Sequence, residues 1–493
     1  MIEKVEKLCR KYQRFLLFLI GNLFLYGIFI CMHYAEDTYW AEVMGWKITT
    51  IQYWSNGRWL MVLLLNFCEL VHMPFRLAEL LSWTMAILSI TVAEALIYRM
   101  LCSANKETDH KYQKAGLRIA SFLLVSNIFL LEDFIFAEYT GIMCLGILFD
   151  VIGSLCVLRF LRGNEKKYYI LGVVFAVLGI NGHQGNFALL VIIAILGARD
   201  TFDSIRCFVR NNLAIGSTYL IAALINVAET KIGGASRAAQ SLDLKLTFMK
   251  TTEGLYDLLT SSANLMPRYV YILFIGLIAI YMLYYVVMKK SWKTLVFVAY
   301  YCVILILGIY APYIMTDVNA IDVVPRTTYI MGAIPPAILI LLLLNVEIDW
   351  KRNLFIPLYI ACFILMQYRG ILGVEISHYQ TNELDRYEAQ LIDGYLYEYE
   401  EKTGVQVTKM ALYWDENVTG NAPEAVCYGA VNERAFCNIW AAPMAMRCLV
   451  GREISQVEAP DEIYEEYFAG KDWCQMDEEQ MVILGDTLYL CAY

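Results

Sequence analysis

The chain has 493 residues, of which 59% are hydrophobic and only 18% are charged, and its mean hydropathy is +0.50. A soluble domain carries more charge and fewer apolar residues than this, so the composition excludes an ordinary soluble enzyme. The net charge of −9 is unevenly divided: residues 371–493 hold 7 Lys+Arg and 23 Asp+Glu, a net of −16, which leaves +7 for residues 1–370. We therefore predict two domains, a basic membrane domain over 1–370 and an acidic soluble domain over 371–493.

Long apolar runs predict about eleven transmembrane helices in the first domain. The run Trp59–Val71 is too short to cross a bilayer, and we interpret it as a re-entrant or interfacial helix. The predicted spans, in chain order, are Phe15–Tyr34, Leu77–Ile97, Ile119–Leu131, Gly141–Leu161, Tyr168–Ile180, Phe187–Gly197, Leu213–Val227, Tyr269–Met288, Thr294–Ala311, Thr327–Val346 and Leu354–Gln367.

Basic residues decide the predicted orientation, because loops rich in Lys and Arg stay in the cytoplasm. Lys4, Lys7, Arg10 and Lys11 precede the first span and place the N-terminus inside. Every other strongly basic loop then also falls inside, and eleven crossings carry the acidic domain outside. We expect a multi-pass plasma-membrane protein whose C-terminal domain is extracytoplasmic.

The acidic domain combines helical and strand-like segments. We predict a helix over Asn382–Glu401 and strands over Val405–Tyr413 and Met481–Ala492, and hence a small α/β domain. The fold class is thus an all-α polytopic membrane protein followed by a small α/β domain. No nucleic-acid motif is present.

Polar residues that are able to do chemistry gather in the predicted outside loops. A forked Arg side chain suits phosphate, and a carboxylate can take the proton of a hydroxyl group. The candidates by loop are Glu36, Asp37, Asn56 and Arg58 in the first, Glu132, Asp133 and Glu138 in the second, His183 in the third, Arg237 and Arg268 in the fourth, and Asp317, Asp322 and Arg326 in the fifth.

Each candidate also has an ordinary structural explanation. An acid after a span is commonly a solvated helix cap, His183 could be a polar loop residue, and Arg58 could anchor a helix at the lipid headgroups. Asp37 stands out because Glu36 adjoins it and aromatic residues follow, and both features raise the proton affinity of a carboxylate. The five histidines are too scattered to predict a metal site.

Two motifs in the first outside loop resemble those of a known family. The acid pair and aromatic residue in Glu36-Asp37-Thr38-Tyr39, and the run Tyr53-Trp54-Ser55-Asn56-Gly57-Arg58, resemble the GT-C superfamily of membrane glycosyltransferases. Within it, the chain is similar to the bacterial group related to O-antigen glucosyltransferases, over about Phe15–Val346. The segments Phe136–Gly141 and Gly182–Asn186 resemble later outside loops of that group.

The resemblance implies a reaction and a set of residues. Such enzymes transfer a sugar from a polyprenyl-phosphate carrier, with inversion, to a glycan or lipid acceptor outside the cytoplasm. The first-loop acid is the general base, basic residues hold the lipid phosphate, and a metal is generally not required. The group usually has two aspartates where this chain has Glu36-Asp37, so both acids are candidates for the base. By position, Arg58, Arg237, Arg268, Arg326, His183, Glu138 and Asn56 are the candidates for substrate binding.

Other classes of function remain open at this stage. A polysaccharide or lipid transporter, or a scaffold that displays the acidic domain, would also span the membrane many times. A transporter usually places polar residues near the bilayer midplane on broken helices, whereas the candidates here gather at one membrane face. An envelope polysaccharide polymerase would also use outside arginines.

Overall fold

The computed structural model describes residues 2–31, 34–104, 111–202, 204–234, 243–288, 292–314, 316–345, 354–415 and 431–493. The chain divides into two compact units. The membrane unit contains residues 1–28, 50–134 and 139–371, and the second unit contains residues 29–49, 135–138 and 372–493.

Helices dominate the described residues. In chain order they are α1 (Ile2–Tyr26), α2 (Glu36–Ser55), α3 (Trp59–Leu70), α4 (Phe75–Ala104), α5 (Lys111–Val125), α6 (Leu131–Phe134), α7 (Thr140–Gly163), α8 (Lys166–Gly182), α9 (Leu189–Ala198), α10 (Ile205–Gly233), α11 (Leu244–Ser261), α12 (Val270–Met288), α13 (Trp292–Tyr310), α14 (Tyr329–Asn345), α15 (Phe355–Thr403), α16 (Ala442–Val450) and α17 (Asp461–Tyr467).

Seven helical segments among the described residues are long and apolar enough to cross a membrane: Phe75–Ser103, Tyr112–Phe134, Thr140–Gly163, Ile205–Gly233, Val270–Met288, Trp292–Tyr313 and Phe355–Thr403. Three shorter apolar helices accompany them, Phe15–Ile30, Trp59–Leu70 and Tyr329–Asn345. Large apolar side chains such as Leu273, Ile280 and Leu283 are exposed on α12, as expected of a helix that contacts lipid. The predicted class, a multi-span helical membrane protein with a small α/β part, is confirmed, whereas the number eleven stays a prediction.

Several helices extend into segments that we interpreted as loops. The first outside loop is largely α2, which contains a kink at Gly45 with φ 72°. The last predicted span and the predicted helix at Asn382–Glu401 form one helix of 49 residues, α15. At roughly 1.5 Å per residue this helix is about 74 Å long, far more than a bilayer core of about 30 Å. The end of an apolar run marks the end of a membrane span, but it does not end a helix.

A buried polar cluster joins α1, α4 and the end of α5 inside the membrane unit. Asn22 Nδ2 donates to Thr91 Oγ1 at 3.0 Å and to Glu94 Oε2 at 2.9 Å. Ser126 Oγ lies 2.6 Å from both Asn22 Oδ1 and Glu94 Oε1. A hydroxyl group has one proton, so it donates to one of these oxygens and accepts from the other. Because the amide oxygen of Asn22 has no proton, the cluster is satisfied when Glu94 is protonated and donates to Ser126.

We expect Glu94→Gln to leave the thermal stability nearly unchanged. A glutamine amide can donate to Ser126 and accept from Asn22, as the protonated acid does. Glu94→Ala should instead lower the unfolding temperature, since it leaves buried polar groups without partners at a cost of about 1–3 kcal/mol. Thermal unfolding of the purified protein in detergent measures both variants. If Glu94→Gln destabilises the protein as much as Glu94→Ala, then Glu94 is a charged group in this cluster and our proton count is wrong.

The second unit contains a four-stranded sheet with the order β2-β1-β4-β3. Its strands are β1 (Lys409–Trp414), β2 (Ser455–Gln456), β3 (Met481–Leu484) and β4 (Thr487–Ala492). β1 runs parallel to β2 and β4, and β3 pairs antiparallel with β4 through a turn at Gly485, whose φ is 65°. The strand predicted over Met481–Ala492 is therefore a hairpin. Apolar side chains of α15 and the sheet, including Ile392, Leu412 and Leu490, form the core.

Candidate functional site

A pocket of about 220 Å³ in the membrane unit brings together several residues that are distant in the sequence. We call it the basic pocket, and its main polar lining residues are Asn56, Arg58, His183, Gln184, Lys231 and Arg326. Four of these, Asn56, Arg58, His183 and Arg326, are candidates that the sequence indicated. They come from three different predicted loops, so the fold rather than the local sequence brings them together.

The turn between α2 and α3 places Asn56 and Arg58. Gly57 adopts φ 68°, a conformation that favours glycine. A Cβ atom there would also lie 2.8 Å from Thr230 Oγ1, so the close packing favours glycine as well. Asn226 Nδ2 donates to the Gly57 carbonyl at 3.0 Å. The run Trp54-Ser55-Asn56-Gly57-Arg58 thus forms a tight turn held against α10.

Arg58 is oriented by two neighbours. Its Nε donates to Gln184 Oε1 at 3.4 Å, and its guanidinium carbon lies 5.9 Å from the ring centre of Tyr53. Gln184 Nε2 in turn donates to the Asn56 carbonyl at 3.4 Å. Both neighbours leave part of the guanidinium group available to a ligand in the basic pocket.

Arg326 forms the strongest polar contact at the basic pocket. Glu132, whose side chain is 0% exposed, accepts from the Arg326 backbone N–H at 2.7 Å and from Nη1 at 2.8 Å. The Arg326 side chain is 21% exposed. A buried carboxylate therefore holds the guanidinium group in place at the wall of the basic pocket.

His183 lies at the wall of the basic pocket and is almost fully buried. Burial, followed by the positive charges of Arg58 and Arg326, lowers its pKa well below the usual value. The imidazole is therefore neutral at pH 7 and can accept or donate a hydrogen bond.

Two further buried polar residues lie nearby: Asn186 is beside His183, and Asp133 is beside Asn186. Several side-chain atoms of this group have no hydrogen-bond partner of normal geometry among the described residues. They are both carboxylate oxygens of Asp133, both amide atoms of Asn186, and Nδ1 of His183. Buried polar groups are usually satisfied, so this cluster suits waters or polar groups of a ligand.

The other candidates lie elsewhere. Glu36 and Asp37 form the first turn of α2 in the second unit, where the positive end of the helix dipole favours negative charge. Glu36 is buried and Asp37 is half-buried. Glu138 belongs to the same unit, is 3% exposed, and accepts from Thr38 Oγ1 at 2.9 Å. The acid pair and Glu138 are thus close in one unit.

Two predicted arginines, Arg268 and Arg237, have different outcomes. Arg268 is exposed just before α12 and is absent from the pocket wall, and Arg237 lies outside the described residues. Their assignment to phosphate binding stays a prediction. In the part of the chain that the structure describes, no group of three His, Cys, Asp or Glu residues is arranged to hold a metal ion.

The sequence missed Lys231 and the roles of Glu132 and Gln184. We ended the seventh span at Val227, yet α10 continues to Gly233 and carries Lys231 to the basic pocket. Past Val227 the sequence turns polar, with Glu229 and Lys231, and no apolar periodicity marks the continuing helix. The pairing of Glu132 with Arg326 joins residues 194 positions apart, and no local pattern indicates it.

Comparisons with known proteins identify the family. The family model of Glucosyl transferase GtrII matches residues 26–337, more than half of the chain. No curated protein matches the chain, and no solved structure does. The matched range contains the turn of Asn56 and Arg58 and every residue that lines the basic pocket. The chain therefore belongs to the Glucosyl transferase GtrII family, and it is a membrane glycosyltransferase.

Proposed function

We propose that this glycosyltransferase takes a sugar from a polyprenyl-phosphate carrier and transfers it, with inversion, to a hydroxyl group of a cell-envelope glycan or lipid outside the cytoplasm. The observation that carries the proposal is the convergence of Arg58, Lys231 and Arg326 on one pocket of the membrane unit. Three cations in one small pocket suit an anionic group, and forked Arg donors suit the oxygens of a phosphate.

The charges of the basic pocket support a phosphate leaving group. As the bond between the sugar and the phosphate breaks, negative charge grows on the phosphate, and fixed donors stabilise it. Arg326 is already oriented by Glu132, so it needs little rearrangement to bind a phosphate oxygen. Asp322 also lines the pocket and is exposed, as Lys231 is, so solvent screens the charges of both, and the cations still outnumber this carboxylate in the lining.

We propose Asp37 as the general base, with Glu36 as its orienting neighbour. The acceptor oxygen attacks the anomeric carbon from the face opposite the phosphate, and its proton goes to the carboxylate. The bond to the phosphate oxygen breaks, and the phosphate leaves on the lipid carrier. No metal is part of this scheme.

The proposed orientation follows from the basic loops. The N-terminus faces the cytoplasm, the domain of residues 371–493 lies outside, and the protein resides in the plasma membrane. This arrangement supports a lipid-linked donor, since nucleotide sugars are on the opposite side of the membrane from the proposed reactive loops.

Transfer from purified lipid-linked donors tests the proposed function. We expect the protein in lipid nanodiscs to transfer radiolabelled glucose from polyprenyl-phosphate-glucose, and not from UDP-glucose. Lys231→Gln and Arg58→Gln should each raise the KM for the donor about 10- to 100-fold, because a hydrogen bond to a charged group contributes about 1.5–3 kcal/mol.

Lys250→Gln is the matched control for the loss of one charge. Lys250 donates to the Val318 carbonyl at 3.1 Å in the same unit, is exposed, and does not line the basic pocket. If Lys250→Gln and Lys231→Gln raise the KM for the donor equally, Lys231 does not bind the donor phosphate. Use of UDP-glucose, or movement of a labelled lipid without a glycosylated product, would contradict the proposed reaction.

A further inference from the structure

A second cavity, of about 590 Å³, lies between the C-terminal parts of α4 and α7 and shares no lining residue with the basic pocket. We call it the arginine cavity, because Arg99, Arg159 and Arg162 line it. Among the described residues of its lining, Glu165 is the one acid, and it pairs with Lys167 at 2.6 Å. The lining therefore carries a clear excess of positive charge.

The spacing of the lining residues puts charge and apolar surface side by side. The lining residues of α4 are spaced three or four positions apart, at Leu96, Met100 and Ser103. The same spacing occurs on α7, at Leu155, Leu158 and Arg162. Residues with this spacing share one helix face. Each helix thus presents apolar side chains close to arginines near its C-terminal end, Arg99 on α4 and Arg159 and Arg162 on α7.

The floor of the arginine cavity is closely packed. A Cβ atom at Gly197 of α9 would lie 2.4 Å from Leu158 Cδ1 and 2.8 Å from Met100 Sδ. Both side chains therefore rest directly on the backbone of α9, which leaves them little freedom to fill the cavity.

Two of the arginines are held in place. Arg162 Nη2 donates to the Gly197 carbonyl at 2.9 Å, and the guanidinium carbon of Arg159 lies 4.2 Å from the ring centre of Tyr168. Arg162 Nη2 also lies 3.7 Å from Asp200 Oδ2. A guanidinium group has five N–H donors, so these contacts orient it and leave further donors for a ligand.

We propose that the arginine cavity binds an anionic glycerophospholipid of the surrounding bilayer. The phosphate lies among the three guanidinium groups, and the acyl chains cover the half-buried side chains of Leu96 and Leu155. Two observations favour a lipid over a soluble anion: the apolar floor, and the position at the ends of two helices that cross the membrane. Basic pockets between transmembrane helices on the cytoplasmic side are suited to such headgroups.

Lipid retention tests this proposal independently of catalysis. We expect the protein, purified in detergent, to retain added phosphatidylglycerol over phosphatidylcholine when native mass spectrometry counts the bound lipids. Arg99→Gln with Arg159→Gln should weaken phosphatidylglycerol binding about 25-fold, at about fivefold for each arginine near the membrane surface. Arg99→Gln alone should weaken it about fivefold.

The control variant removes two charges on the same side of the protein. Lys166→Gln with Arg206→Gln changes two exposed residues that do not line the cavity, and we expect it to bind like the wild type. Equal loss in this control, or no loss in the arginine variants, would overturn the proposal. So would displacement of the lipid by millimolar inorganic phosphate, which would identify a site for soluble anions. Sugar transfer is not a readout here, so failure of the proposed function leaves this result intact.

Discussion

Asp37→Asn is expected to lower kcat by about 10²-fold or more, while donor binding stays close to that of the wild type. A sugar hydroxyl group is a poor nucleophile until its proton is withdrawn, and a positioned carboxylate contributes about 10²–10⁴-fold. Asn keeps the shape of the side chain and removes its basicity. Because the change acts on the transition state, kcat and kcat/KM should fall together. Initial rates over a range of polyprenyl-phosphate-glucose concentrations measure both.

Glu36→Gln separates the two acids of the pair. Glu36 is buried in the first turn of α2, whereas Asp37 is half-buried, so Asp37 is the more accessible of the two. We expect Glu36→Gln to cost less than Asp37→Asn. The reverse order would identify Glu36 as the base. Full activity of both variants would show that neither acid is the base and that the pair only caps the helix.

Asp322→Asn provides a second comparison. Asp322 is an exposed carboxylate in the lining of the basic pocket, and it is one of the candidate carboxylates in the fifth predicted outside loop. We expect this variant to retain most of the wild-type kcat. If its kcat falls 10²-fold while Asp37→Asn stays active, the base lies at Asp322, and the reaction then needs no carboxylate from the first loop.

The sequence indicated four residues that line the basic pocket, because the signals for them are local. The Trp54–Arg58 run, the glycine-flanked His183 and the Pro325-Arg326 pair each stand out within a few residues, and the positive-inside rule groups them on one membrane face. Hydropathy likewise found the apolar helices, because the cost of burying polar groups in lipid makes long apolar runs obligatory.

What the sequence did not reveal depends on packing between distant segments. We could not predict from the end of an apolar run that α10 continues to Lys231, or that α15 continues past residue 370. Capping and packing, rather than hydropathy, determine where a helix ends. The pairing of Glu132 with Arg326 and the cluster of Asp133, His183 and Asn186 arise from helices far apart in the chain. One sequence without related sequences carries no signal for such contacts.

The pair of Glu132 and Arg326 leads to the second large expected effect. Arg326→Lys should raise the KM for the donor about 10- to 100-fold, because a lysine ammonium group cannot both satisfy Glu132 and present a fork to the phosphate. Arg268→Lys is the matched control, since Arg268 is exposed and does not line the basic pocket. We expect a smaller effect there. Equal effects would show that Arg326, like Arg268, acts only as a general surface charge.

Glu132→Gln should act on both stability and donor binding. Glu132 is fully buried, and breaking a buried ion pair costs about 3–5 kcal/mol, so we expect a clearly lower unfolding temperature. The variant also loses the group that orients Arg326, and KM for the donor should rise as it does in Arg326→Lys.

The double variant, Glu132→Gln with Arg326→Lys, distinguishes a positioning role of Glu132 from two independent roles. If Glu132 acts through Arg326, the two changes in KM are not additive, and their coupling falls within about 0.5–3 kcal/mol. Additive changes would show that Glu132 stabilises the fold without positioning Arg326 for the phosphate.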